Sequence, residues 1–490
     1  MGQFFNLQDL GAIAPELELM LFGMILLIAD LLVENKKWLG IISLGGIAWS
    51  GYFLVRLHGV EVTAYGGLLV IDQFAWFFKL IFLMGAALAI FISLKYLDIE
   101  KEHHGEYYAL ILFATMGMMF MAGAMDLITL YISLETMAIA TYVLVGFLRN
   151  NQRSNEASLK YFLLGAFSSG VLLYGMSLLY GIAGSTRFSD ITDALQQRME
   201  SHPNDPIAIV ALVTICGGLF FKIAAVPFHQ WTPDAYEGAP TSITAYMSVA
   251  VKAASFAMLV RIFWFALMPL RPHWVLILTA VSVLTMTVGN IAAMTQTNIK
   301  RLLAYSSISH AGYILLGLIA GNSTDLNPTG VTGIVMYLFV YTFTNIGVWA
   351  VVVALRRKDI VGEQVDDLNG LIYKQPAAAV LMLIFLLSLA GMPPTGGFIA
   401  KYYLFAGLIE TNHAKLAVIA VLNAAVSMYF YLRIVVAMFM KESNEKTGLA
   451  LSPGIVIALG VALIFTMWIG FYPDPFIHLA REAVFLGNPL

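Results

Sequence analysis

Apolar residues fall in long blocks of about 20, separated by short polar turns, along the whole chain. A block of that length crosses a hydrocarbon core of about 30 Å as a helix. The pattern predicts an all-α polytopic membrane protein with about fourteen transmembrane helices. The spans lie near 13–33, 38–57, 70–94, 107–125, 127–148, 159–183, 207–227, 241–268, 273–295, 302–320, 330–354, 376–409, 416–440 and 451–471. They are called spans one to fourteen below. The twelfth is too long for one straight helix and holds Gly391, Pro393, Pro394, Gly396 and Gly397 in its middle. Pro227 marks a second break, at the end of span seven. The polar segment 184–206 is the longest loop and reads as one short surface helix.

Composition agrees with the blocks. The 490 residues are 60% hydrophobic and only 12% charged, about half the charge of a soluble domain. A single cysteine, Cys216, cannot close an intrachain disulfide or hold an iron–sulfur cluster. No phosphate-binding or dinucleotide-binding glycine motif is present, so nucleotide chemistry on this chain is not expected. Met1 to Asn6 lacks the pattern of a myristoylation site or a cleaved signal peptide, so the first block reads as a retained span.

Positive charge predicts the orientation. Fifteen lysines and arginines, among them Lys36, Arg149, Lys300, Arg356, Arg357, Lys358 and Lys446, fall in loops after odd-numbered spans, against seven on the other face. The odd loops are expected in the cytoplasm. Both termini are then periplasmic, which an even number of spans allows.

Five basic residues fit neither group: Lys79, Lys222, Lys252, Lys401 and Arg433. One acid, Glu135, lies about 12 Å into span five at the helical rise. On the same scale Lys252 lies about 16 Å into span eight, Lys222 about 22 Å into span seven and His310 about 12 Å into span ten. Lys401 follows the break in span twelve. An ionisable group at mid-bilayer costs at least about 2.5–3.5 kcal/mol, so each calls for a reason. A static Glu135–Lys222 pair is the structural alternative, but a buried pair is a poor stabilising device. Lys252 and Lys401 have no acid within their own spans, which suits proton carriers. Lys79 and Arg433 lie nearer span ends and are expected to snorkel. His229 sits beside the break. With only His310 well inside a helix, haem, zinc and copper sites are excluded.

Breaks in spans seven and twelve, each beside a lysine, are the trace of an internally repeated transporter. The expected organisation is an N-terminal peripheral unit, 1–106 (spans one to three). A first five-helix repeat, 107–268, and a second inverted one, 269–440, follow. Helix fourteen and a tail occupy 441–490. An odd number of helices per unit makes the second unit inverted.

Four stretches carry a family resemblance. They are L-Y-I-S-L-E-T-M-A-I-A-T-Y-V-L-V-G-F around Glu135, and F-K-I-A-A-V-P-F-H-Q-W-T-P-D-A-Y-E-G-A-P from Phe221. The others are Q-T-N-I-K-R-L-L-A-Y-S-S-I-S-H-A-G-Y from Gln296 and S-L-A-G-M-P-P-T-G-G-F-I-A-K-Y from Ser388. The chain resembles the antiporter-like subunits of proton-pumping NADH:quinone oxidoreductase, complex I, and within them the N subunits. The likeness runs from about span three onward and is weakest in the first two.

The resemblance implies a translocase subunit of the bacterial inner membrane, in a hetero-oligomer with other membrane-arm subunits. FMN, iron–sulfur clusters and quinone are implied in partner subunits, with no redox centre on this chain. It implies that Glu135 pairs with Lys222, that Lys252 is a central lysine and that Lys401 is a terminal one. Lys160, His229, Tyr305 and His310 match positions of the polar axis. Lys300 matches a basic position too, but its place at the cytoplasmic edge also fits a helix anchor. The chain stops soon after span fourteen, which argues against the family's L subunits. A multi-subunit cation/proton antiporter, a membrane-bound hydrogenase subunit and a non-conducting scaffold are the alternatives.

Overall fold

The computed structural model describes residues 7–321, 329–356, 362–442 and 451–484. Met1 to Asn6, Arg357, Lys358 and Lys446 lie outside the described residues. Twelve helices among those described are long and apolar enough to cross a membrane. They include span three (Gln73–Glu100), five (Leu127–Val145), six (Gln152–Ala183), seven (Pro206–Ile223), eight (Thr241–Ala266), ten (Ile299–Ile319) and eleven (Thr329–Leu355). Span one forms the helix Ala14–Leu32, but Glu16, Glu18 and Asp30 make it more polar than the rest. Span twelve is two shorter helices, Pro376–Ala390 and Gly396–Glu410.

Local sequence explains where the helices begin. Asp72, Asp126, Asn151, Asp205 and Asn298 each accept hydrogen bonds from the first backbone N–H groups of the helix that follows. Pro206, Pro376 and Pro453 occupy first turns, where no N–H donor is needed. At the break in span twelve Gly391 has φ +86, a left-handed cap that Cβ-bearing residues resist.

The break in span seven has the expected form: the helix ends at Ile223, and a short helix Trp231–Gly238 follows. The expected surface helix is Phe188–Ser201. Two features lay outside the sequence expectation. Val62–Ala64 and Leu69–Ile71 pair as a small antiparallel hairpin before span three. Span eight contains a π-helical stretch, Met247–Val251, directly before Lys252.

The centre of the molecule is span eleven, buried at every residue from Gly330 to Leu355. Span ten and span eight pack beside it and are nearly as enclosed. Peripheral helices such as Ala414–Met440 leave large apolar side chains on the outside, including Val418, Leu422 and Tyr429. Close approach uses small residues, as between spans nine and ten at Gly289 and Gly312.

Candidate functional site

The buried charges converge on the enclosed helices. Lys222, Lys252 and Lys401 are 7, 4 and 5% exposed, and none has a carboxylate within 4.0 Å among the described residues. Each instead is held by a hydroxyl or a carbonyl. The Lys222 ammonium donates to the Tyr142 hydroxyl at 3.4 Å and lies 5.9 Å from the centres of the Tyr142 and Phe221 rings. Lys252 Nζ donates to the Ser307 carbonyl at 2.5 Å. Lys401 Nζ donates to the carbonyls of Leu389 (2.9 Å) and Ala390 (2.8 Å) and sits 5.1 Å over the Tyr313 ring. Those carbonyls end the first half of span twelve, where the helix dipole favours a cation. The break thus places backbone acceptors where the second half of the span delivers an amine.

His310 joins the two ends of the second group. Its Nδ1 is 2.5 Å from the Tyr337 hydroxyl and its Nε2 is 3.0 Å from the Tyr431 hydroxyl, which also meets Ser306 Oγ at 2.6 Å. A cavity of about 10 Å³ lies between His310, Tyr337, Tyr341, Ser388 and Lys401. That is about the room one water molecule requires.

The expected Glu135–Lys222 pair is not made directly. Glu135 is half-buried and accepts from Ser169 Oγ at 2.5 Å. Tyr142 occupies the position next to the lysine, so the two charges interact through space across a hydroxyl lining. No hydrogen bond among the described residues links the Lys222 group to the Lys252 group.

Other expectations change. Lys160 is not on the buried axis: its side chain is 46% exposed and pairs with Glu156 (2.8 Å) and Asp234 (3.0 Å). His229 lies half-buried in the break, between exposed Phe228 and Gln230, with its Nδ1 unpartnered among the described residues. Tyr305 is half-buried against apolar neighbours. Lys79 does not snorkel. It is buried in a 2.6 Å ion pair with Glu16 of span one, and Glu16 is more deeply enclosed than Glu135. Arg433 instead donates to the carbonyls of Met294 (2.7 Å) and Gln296 at the end of span nine. Arg261, counted above with the outer loops, is fully buried and pairs with Asp72 at 2.6 Å. Lys300, placed at the edge by sequence, is 1% exposed.

The sequence reading missed the hydroxyls. Tyr337 and Tyr341 stand one helical turn apart in an apolar run, a signal that marks one face of span eleven. Tyr431 carries no such signal; only packing brings it to His310.

Comparison with known proteins adds an independent line. A sequence profile described as "NADH:quinone oxidoreductase/Mrp antiporter, TM" matches residues 124–427. NADH-quinone oxidoreductase subunit N 1 of Koribacter versatilis is 52% identical over 97% of this chain and 95% of its own length. NADH-quinone oxidoreductase subunit N 2 of Solibacter usitatus is also 52% identical, over 98% of this chain and 99% of its own. Among solved structures, a chain of respiratory complex I from Thermus thermophilus superposes with a TM-score of 0.80 at 30% identity, covering 95% of this chain and 99% of that one.

Proposed function

The chain belongs to the NADH-quinone oxidoreductase subunit N family, and from that membership we propose how it moves protons. Members are proton-translocating membrane-arm subunits of a hetero-oligomeric NADH:quinone oxidoreductase. The redox centres (FMN, iron–sulfur clusters and quinone) lie on partner subunits, and their chemistry supplies the driving energy. Lys222, Lys252 and Lys401 carry the protons, with His310 and its tyrosine partners between the last two. Glu135 is the charge that biases Lys222. Spans four to eight and nine to thirteen act as two inverted units. The odd loops face the cytoplasm, and both termini are periplasmic.

One observation carries this reading: three amines and a histidine lie buried on packed central helices, held by neutral acceptors. A neutral acceptor tolerates both the charged and the uncharged amine, whereas a close carboxylate locks in the charged form. Moving Glu135 toward Lys222 favours the charged lysine, and moving it away favours release. A membrane potential of about 150 mV opposes each charge by roughly 3.5 kcal/mol. At about 1.4 kcal/mol per tenfold, a change in proton affinity of a few hundredfold meets that load. Burial and an approaching opposite charge each reach that order.

The test uses the assembled complex in inverted membrane vesicles. Lys252→Ala and Lys222→Ala are expected to assemble, to keep NADH oxidation by an artificial acceptor, and to lose most dye-reported proton translocation. Normal translocation in both would end the relay reading. Sodium-dependent transport would favour the antiporter alternative.

A further inference from the structure

We propose that Glu363 and Lys300 form the proton inlet to Lys252, on the face carrying the positive excess; this rests on the lysine relay proposed above. Neither is a simple surface group. Lys300 opens span ten and is buried, and its Nζ donates to the Ala239 carbonyl at 2.7 Å. That carbonyl lies in the turn between the short helix Trp231–Gly238 and span eight. The lysine stem therefore fills the gap between the broken helix and the helix that carries Lys252.

Glu363 covers this gap from outside. Its side chain is 12% exposed and lies 3.6 Å from Lys300, 3.4 Å from Arg356 and 3.7 Å from Arg153. Backbone bonds hold the segment in place: Ile299 N–H donates to the Glu363 carbonyl at 2.7 Å, and Val365 N–H to the Thr297 carbonyl at 2.9 Å. Arg356 also pairs with Glu100 of span three, and Glu237 approaches Lys300 from the short helix. Three contacts of 3.4–3.7 Å are loose for charge-assisted bonds. A carboxylate held this way can exchange a proton without dismantling a tight pair.

Inward from Lys300 the route follows one face of span ten. Ser307 lies two helical turns on, about 10 Å along the axis and on the same side. Its carbonyl holds Lys252, and His310 follows one turn further. The buried Ser307 hydroxyl lies beside the hydroxyls of Tyr236 and Tyr341 without meeting hydrogen-bond geometry to any partner. Buried hydroxyls spaced this way suit a bridging water. The sequence of transfers balances. Lys300 gives a proton through these hydroxyls to a neutral Lys252 and becomes neutral itself. Glu363 recharges it and takes the next proton from water.

Assembled complex in inverted vesicles, whose outer face is the uptake face, tests this across about pH 6 to 9. Glu363→Gln keeps shape and loses titration. Its coupled proton translocation should stay near normal at about pH 6.5 and fall roughly tenfold at about pH 8.5, where protons are scarce. Glu363→Asp should restore most of the loss. Lys300→Met should show the same alkaline deficit, and the double variant no more than either single one. An equal loss at every pH, wild-type behaviour of Glu363→Gln, or failure of both Glu363 variants to assemble would overturn the inlet. Lys252→Ala separates the two readings. If it is inactive while Glu363→Gln is normal, only the inlet falls. If it pumps normally, the relay itself falls.

Discussion

Tyr431 shows how much one hydroxyl can carry in this interior. It meets both Ser306 Oγ and His310 Nε2, and nothing else among the described residues replaces it there. Tyr431→Phe removes the shared partner and leaves two buried polar groups, each costing about 1–3 kcal/mol. The expected result is a several-fold loss of coupled proton translocation, with NADH oxidation by an artificial acceptor unchanged. Tyr429, one position away from the core and 59% exposed, is the control: Tyr429→Phe should behave as wild type. Equal behaviour of the two variants would remove the Tyr431 hydroxyl from the relay. The same logic applies at Lys222, whose only hydrogen bond among the described residues is to Tyr142. There the relay residue is recognisable by type and depth, while its partner is visible only once the helices are packed.

At the scale of elements, the broken spans do the positioning. In span twelve the first helix ends on Gly391, and the second begins so close that a Cβ on Gly397 would lie 1.8 Å from the Ser388 carbonyl oxygen. No side chain fits there without moving one half of the span. Gly397→Ala should therefore destabilise the subunit by about 1–3 kcal/mol or more and lower its content in purified complex, read by native gel. Normal accumulation would show that the break tolerates spreading. Span eight uses a different device. Its π-helical stretch is held by span eleven through Asn345, which donates to Ser248 Oγ at 2.7 Å. The stretch sits immediately before Lys252, where π-turns interrupt the regular carbonyl ladder. Proline and glycine announce the break in span twelve from sequence. The π-stretch, built of ordinary residues, gives no such notice.

For the molecule as a whole, the N-terminal helices are tied on by buried charge. Glu16 and Lys79 join spans one and three at 2.6 Å, and Asp72 and Arg261 join spans three and eight at 2.6 Å. Removing one member of such a pair strands the other, at about 3–5 kcal/mol, while replacing both by apolar groups is often nearly neutral. Lys79→Met alone should sharply lower subunit accumulation, and Glu16→Leu with Lys79→Met together should recover most of it. Equal loss in the single and double variants would show that the pair has a role beyond holding the helices. Outside this chain, exposed Pro227, Phe228, Pro393 and Pro394 leave irregular backbone at the surface of both breaks. Lipid cannot satisfy such backbone, so neighbouring protein or water covers it. That fits a subunit of a hetero-oligomeric membrane arm.

The sequence by itself determined the helical membrane architecture, because apolar length and the cost of unpaired backbone in lipid leave few alternatives. It also determined the broken spans, through proline and glycine, and the amines that must be explained, through their depth. Tertiary structure decided the rest. Which groups face each amine depends on how separate helices are rotated against one another, and hydropathy along one chain does not encode that rotation. Lys79 and Lys300 show the consequence. Both look peripheral by position along their helices. Both are buried, because neighbouring helices extend past them and supply Glu16 to one and the Ala239 carbonyl to the other.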